Sequence, residues 1–245
     1  MANVMILCFS FLVTSLLVRD VHSTIFTIKN ECAFTVWPGI LTDSGVPALN
    51  LTGFELDSGA SRAIDVPKNW SGRFWGRQGC SNATGSLICA SADCASGQVQ
   101  CNNQGAVPPA TLVEFTLNGA GNDDFYDISN VDGFNLPVSI VPQGVPGCNP
   151  VSCPVNINSK CPQELWLQAS DGSVVGCKSA CLAFNTDAYC CRGTYGISGS
   201  CKPSTYALYF KQACPQAYSY AYDDASSTFT CIGADYLITF CPVSS

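Results

Sequence analysis

Residues 122–135 read NDDFYDISNVDGFN: four carboxylates, Asp123, Asp124, Asp127 and Asp132, with no basic residue among them. Glu114 lies shortly before them, and Asp223 and Asp224 stand together near the C-terminus. Carboxylates gathered in one place can do two kinds of chemistry. They accept hydrogen bonds from a hydroxyl-rich ligand. They also raise one another's pKa, so one can stay protonated and act as a general acid beside an ionised partner. Glycoside hydrolysis needs such a pair. Other chemistries fall away. The only histidine is His22, inside a segment that reads as a leader. The mature chain then has no imidazole for a Ser-His-Asp or Cys-His mechanism and no His-ligated metal site. Neither a metal nor a cofactor is expected.

Each acid also has an ordinary reading. Asp132 precedes Gly133 and fits a turn. Glu114 fits a solvated strand position, and Asp223-Asp224 fits a turn. Tyr218, Tyr220 and Tyr222 alternate just before that pair and suit packing as well as a sugar platform.

The elements that must position these residues are mostly short strands. ATLVEFTLNG places Val113, Phe115 and Leu117 on one face and Leu112, Glu114 and Thr116 on the other. TIFTIKN and FTVW alternate in the same way, DYLITF reads as another strand, and turn clusters recur about every 8–12 residues. Strands at both ends of the chain predict an antiparallel sandwich or barrel. The middle differs: nine cysteines crowd between Cys148 and Cys214, ELWLQASDGSVVG reads as a hairpin about Asp171-Gly172, and KSACLAF and TYALYFKQA have helical spacing. Helices that short need crosslinks.

Residues 1–23 carry an apolar segment too short to span a membrane, with small residues Val21 and Ser23 before a cleavage point, so the mature chain is expected to start at Thr24 and be secreted. Of the 17 cysteines, Cys8 leaves with the leader. Sixteen in an oxidising compartment predict eight disulfides, and the clustering of Cys94 with Cys101 and of Cys148 with Cys153 lacks the repeat of a zinc ribbon. Spacing alone leaves roughly two million pairings open. The net charge of −7 disfavours nucleic acid or an anionic membrane as partner and suits a neutral one. Sequons at Asn50, Asn69 and Asn82 permit glycosylation.

SGRFWGRQGC, CASADCASGQVQC, VPPATLVEFTL, YDISNVDGFNLPVSIVPQG and CPQAYSYAYDDASSTFTC follow in this order with sixteen mature cysteines. This arrangement resembles the plant thaumatin-like proteins, the fifth pathogenesis-related family, over the whole mature chain. WPGILTDSG, LNLTGFEL and CKSACLAF are similar to its acidic, fruit-type subgroup. Leu87 and Ser91 depart from the family's usual signature, in a loop away from the acids.

The resemblance implies a mainly β fold: a sandwich of about eleven strands from residues 24–77, 107–154 and 215–245, a small disulfide loop region at 78–106, and a disulfide-rich lobe at 155–214. It implies the pairs Cys32–Cys241, Cys80–Cys89, Cys94–Cys101, Cys148–Cys231, Cys153–Cys214, Cys161–Cys177, Cys181–Cys190 and Cys191–Cys201. It also implies an acidic cleft between sandwich and lobe, lined by Arg73, Glu114, Asp127, Asp132 and either Asp223 or Asp224. Asp123 and Asp124 match nothing in that set and read as solvated loop residues.

The function implied is a secreted, monomeric defence protein that binds fungal β-1,3-glucan. A weak endo-β-1,3-glucanase, with Glu114 as acid and Asp132 or Asp127 as its partner, is the alternative, and a protein-directed inhibitor role is a third. Some relatives are allergens, which stability alone would favour. The sweetness of one kind needs a basic surface, which this chain lacks. The short segment after Cys241 favours the apoplast over the vacuole.

Overall fold

The computed structural model describes residues 23–243; the leader expected over residues 1–23 lies outside that range except for Ser23, which opens the first strand opposite Pro67. Two five-stranded sheets face each other. The first runs in the order β3-β1-β12-β7-β8: β3 (Ser61–Pro67), β1 (Ser23–Asn30), β12 (Asp235–Phe240), β7 (Val138–Gln143) and β8 (Val151–Cys153). The second runs β11-β6-β5-β4-β2: β11 (Phe229–Cys231), β6 (Asp124–Ser129), β5 (Leu112–Thr116), β4 (Ser71–Arg77) and β2 (Trp37–Thr42). A two-stranded hairpin, β9 (Trp166–Gln168) with β10 (Val174–Cys177), brings the described strands to twelve, ten of them in the sandwich. The ladders are antiparallel except β1 with β12, where the two ends of the chain run side by side.

The strands form where alternation allows one face to be buried. Phe26 and Ile28 of β1 stand beside Tyr236 and Ile238 of β12, all fully buried. From the other sheet Phe74, Phe115 and Tyr126 meet them. Phe26 lies edge-on to Phe115 at 4.7 Å between ring centroids, and Phe115 lies 4.8 Å from Tyr236. Burying a side chain of this size contributes roughly 1.5–3 kcal/mol, and the ring geometry adds to it.

Two local expectations change. FTVW does not form a strand of its own. Phe34 is 44% exposed, Val36 makes only an isolated bridge to Leu56, and β2 begins at Trp37. Asp124 is not a solvated loop residue. It opens β6, is buried, and accepts from the Tyr236 hydroxyl (2.8 Å) and the Asn118 N–H (2.8 Å), so two donors that would otherwise be orphaned compensate its burial.

The segment after β8 is held by crosslinks. The hairpin turns at Asp171, whose carboxylate accepts from the Ser173 N–H (2.9 Å), with Gly172 at φ 84°. Three short helices follow: α1 (Ala180–Phe184), capped by Ser179, α2 (Asp187–Cys190), and α3 (Thr205–Ala213), capped by Ser204. A last turn, α4 (Asp224–Ser227), precedes β11. Eight disulfides join Cys32–Cys241, Cys80–Cys89, Cys94–Cys101, Cys148–Cys231, Cys153–Cys214, Cys161–Cys177, Cys181–Cys190 and Cys191–Cys201. The loop region after β4 packs on a small core of its own, Trp75 with Ala92, Cys94, Cys101, Ala110 and Leu112, and fully buried Arg77 at the end of β4 donates to the carbonyls of Trp37 (2.9 Å) and Val99 (2.6 Å).

Candidate functional site: an acidic cleft on the second sheet

Strand register builds the centre of the site. Arg73 of β4 is the ladder partner of Glu114 of β5, and Glu114 is the partner of Asp127 of β6. Directly opposed side chains stand about 5 Å apart at Cβ, so the three rise in a row on the outer face. The next row, Phe74, Val113 and Ile128, points the other way and is fully buried in the core. The apolar alternation that folds the sheet therefore also presents the charged row.

Two turns complete the cleft. Asp43 follows β2, its N–H donating to Ser71 O (2.9 Å). Its carboxylate lies 3.5 Å from Arg73 Nη2, while Glu114 Oε1 lies 3.6 Å from Nη1. Asp132 sits in a turn closed by the Gly133 N–H on Asn130 O (2.9 Å). Gly133 is required there: φ is 85°, and a Cβ would meet Cys177 O at 2.6 Å. Buried Asn135 anchors the turn to β5 through reciprocal bonds with Thr111 (3.0 and 3.1 Å). Together Asp43, Arg73, Glu114, Asp127, Asp132 and Tyr218 line an open cleft of about 420 Å³.

The C-terminal aspartates separate. Asp223 turns away: its carboxylate pairs with Lys211 Nζ (2.9 Å) and accepts from the Ser219 N–H and hydroxyl. Lys211, on α3, also donates to Ala217 O (3.0 Å) and Ser227 Oγ (2.8 Å), so all three of its protons are used. Asp224 is exposed and accepts from the Tyr218 hydroxyl (2.9 Å), standing behind that ring at the cleft's edge. The alternating tyrosines do not form one platform. Tyr218 lines the cleft, Tyr220 lines a neighbouring pocket, and the Tyr222 hydroxyl is tied to Gly196 O (2.7 Å).

Asp43 and Lys211 were absent from the sequence-derived set. An Asp in LTDSG has the form of any turn aspartate, and only the pairing of β2 with β4 brings it to Arg73. Lys211 is one lysine on a helix until the fold delivers Asp223 to it.

One guanidinium faces several acids, and burial raises three of them. Burial is the main cause that pushes Asp127 up to about 8; the charges of Glu114 and Asp224 add, and Arg73 opposes. Glu114 is also raised, first by burial, against the pull of Arg73 and with help from Asp132 and Asp43. Asp132 is raised by burial against Arg73. Asp127 is therefore a carboxyl that keeps its proton at neutral pH. Asp127 Oδ1 and Arg73 Nε are buried without a protein partner. Among the described residues no cluster has the make-up of a metal site, and no helix is long and apolar enough to cross a membrane. Asn50, Asn69 and Asn82 are all exposed.

The chain is 58% identical over 224 residues to thaumatin-like protein 1a of Malus domestica, spanning 90% of this chain and 91% of that one. It is 52% identical over 245 residues to a Prunus avium protein named glucan endo-1,3-beta-glucosidase, spanning 99% and 100%. In fold it is similar to a laminaripentaose-producing β-1,3-glucanase of glycoside hydrolase family 64 from Paenibacillus barengoltzii, with TM-score 0.55 at 12% identity over 89% of this chain and 74% of that one. The thaumatin family model matches residues 30–242, and the chain belongs to the thaumatin family.

Proposed function

We propose that this protein is a secreted plant defence protein, acting in the apoplast, whose acidic cleft binds β-1,3-glucan of fungal walls. The observation that carries this reading is the lateral row Arg73–Glu114–Asp127 on the open face of the second sheet, with Asp43 and Asp132 at its sides and the Tyr218 ring at its edge. Carboxylate oxygens accept from vicinal sugar hydroxyls, the guanidinium and a protonated Asp127 donate to sugar oxygens, and the ring covers an apolar sugar face. A neutral polymer meets no repulsion from a chain of charge −7.

Hydrolysis is the second reading, favoured by the state of Asp127. A carboxyl held protonated beside Glu114, whose ionised form the Arg73 guanidinium favours, can supply the division of labour that glycoside hydrolysis uses. Asp127 would protonate the leaving oxygen, with Glu114 or Asp132 as the ionised partner.

Pull-down on insoluble β-1,3-glucan together with reducing-sugar release separates the two. Binding alone gives wild-type capture without sugar release, and Glu114→Gln weakens capture by about 1 kcal/mol, the worth of one ordinary hydrogen bond. Catalysis gives turnover that Asp127→Asn lowers by about 10²–10⁴-fold while capture persists. Asp132→Asn and Arg73→Ala test the flanking acid and the counter-charge in the same assay. Wild-type protein that neither binds nor cleaves the glucan sinks both readings and leaves the protein-directed role.

A further inference from the structure

Beside the acidic cleft lies a smaller, mainly apolar pocket of about 130 Å³; the two share Val131, Asp132 and Ala221 as a common wall. Leu182 and Tyr189 are also part of its lining, and both remain more than a third exposed. Tyr189 continues outward into a group of three rings. It lies 5.6 Å from Phe184 and 6.1 Å from Tyr206, and those two are 5.3 Å apart. Phe184 is 38% exposed. The Tyr206 hydroxyl donates to Glu164 Oε1 (2.9 Å), and Glu164 is itself exposed.

Tyr206 packs against the edge of the main core while Phe184 and Tyr189 lie outside it, and the three rings come from three separate helices. Phe184 ends α1, Tyr189 is on α2, and Tyr206 is in the first turn of α3. Helices this short do not hold themselves. The Cys181–Cys190 bridge ties α1 to α2, and Cys191–Cys201 ties the end of α2 to the approach to α3. The crosslinks thus keep three partly exposed rings together, where solvation would favour polar residues. Clustered exposed apolar surface marks a contact site. A ring with a carboxylate acceptor at its rim offers a sugar what it needs: an apolar face for the C–H face, and an oxygen for the hydroxyls.

Resting on the glucan reading of the cleft, we propose that the lobe carries a second subsite. There Phe184, Tyr189, Tyr206 and Glu164 receive further sugar units of the same chain, which crosses from the cleft over the shared pocket. The continuity through Asp132 and Tyr189 favours this occupant over an unrelated apolar partner.

The test is affinity against chain length, with soluble linear β-1,3-gluco-oligosaccharides from trisaccharide to heptasaccharide. Wild type should tighten about tenfold between short and long chains, the gain that stacking on one or two rings gives. The double variant Phe184→Ser/Tyr189→Ser should match wild type on the trisaccharide and lose that gain. Tyr189→Trp, which keeps a ring, should retain it. Glu164→Gln, a single exposed change, should lower heptasaccharide affinity severalfold without touching the trisaccharide, and serves if the double variant does not fold. Wild-type affinity that is flat with length, or a length gain that survives both the double variant and Glu164→Gln, overturns the subsite alone. Absence of binding at every length overturns the glucan reading itself, and the subsite with it.

Discussion

Replacing Asp127 with asparagine removes the cleft carboxyl that holds its proton to about pH 8 and leaves a neutral side chain of the same shape. In the unfolded chain that carboxyl titrates near its ordinary 3.8. Between these two values the folded state binds a proton that the unfolded state does not, so wild-type stability falls as pH rises through the window. Below it both states are protonated and Asp127→Asn should be nearly neutral. Above it the wild type carries a buried charge and the variant does not. At about 1.4 kcal/mol per pH unit of separation, the upper limit is about 5–6 kcal/mol in favour of the variant. The cleft is open and the side chain only partly buried, so water screens much of this, and about 2 kcal/mol is the expected gain. For a chain of this size that corresponds to a melting temperature about 4–8 °C higher for the variant at pH 9 and equal within error at pH 4. The assay is thermal unfolding of both proteins, disulfides intact, across that range. A difference that stays constant with pH, or a variant less stable than wild type at pH 9, refutes the assignment of a raised Asp127.

Lys211→Met should cost about 3–5 kcal/mol by leaving Asp223 partly buried and unpaired, and should weaken glucan capture although Lys211 is not in the cleft; adding Asp223→Asn should restore most of the melting temperature. Asp124→Ala should cost about 2–4 kcal/mol in denaturant unfolding, because the Tyr236 hydroxyl and Asn118 N–H lose their acceptor, while Asp123→Ala next to it should stay within about 0.5 kcal/mol. Alkylation of the denatured, unreduced mature protein, without Cys8, should add no mass, since the other sixteen cysteines are paired; any labelled thiol counts against the eight bridges.

Features under short-range control are legible in the residues alone. The two-residue alternation in TIFTIKN, VEFTL and DYLITF marks β1, β5 and β12, because a strand beside a core must bury every second side chain. It also put Glu114 on the outer face. Asp171-Gly172 marked the hairpin, and the spacing of TYALYFKQA marked α3, through turn chemistry and helical period. Which strands meet, and in what register, follows from how the whole chain packs. That choice makes Arg73, Glu114 and Asp127 neighbours across three strands, sets β1 parallel to β12, brings Asp43 to the guanidinium, and turns Asp223 to Lys211 while Asp224 stays with Tyr218. Asp124 shows the reason most plainly. In the chain it is one more acid in a polar turn, and it becomes a buried acceptor because Tyr236, 112 residues away, packs against it when the two sheets close. Contacts at that separation depend on the burial of whole faces, and a local pattern of residue types does not carry that information.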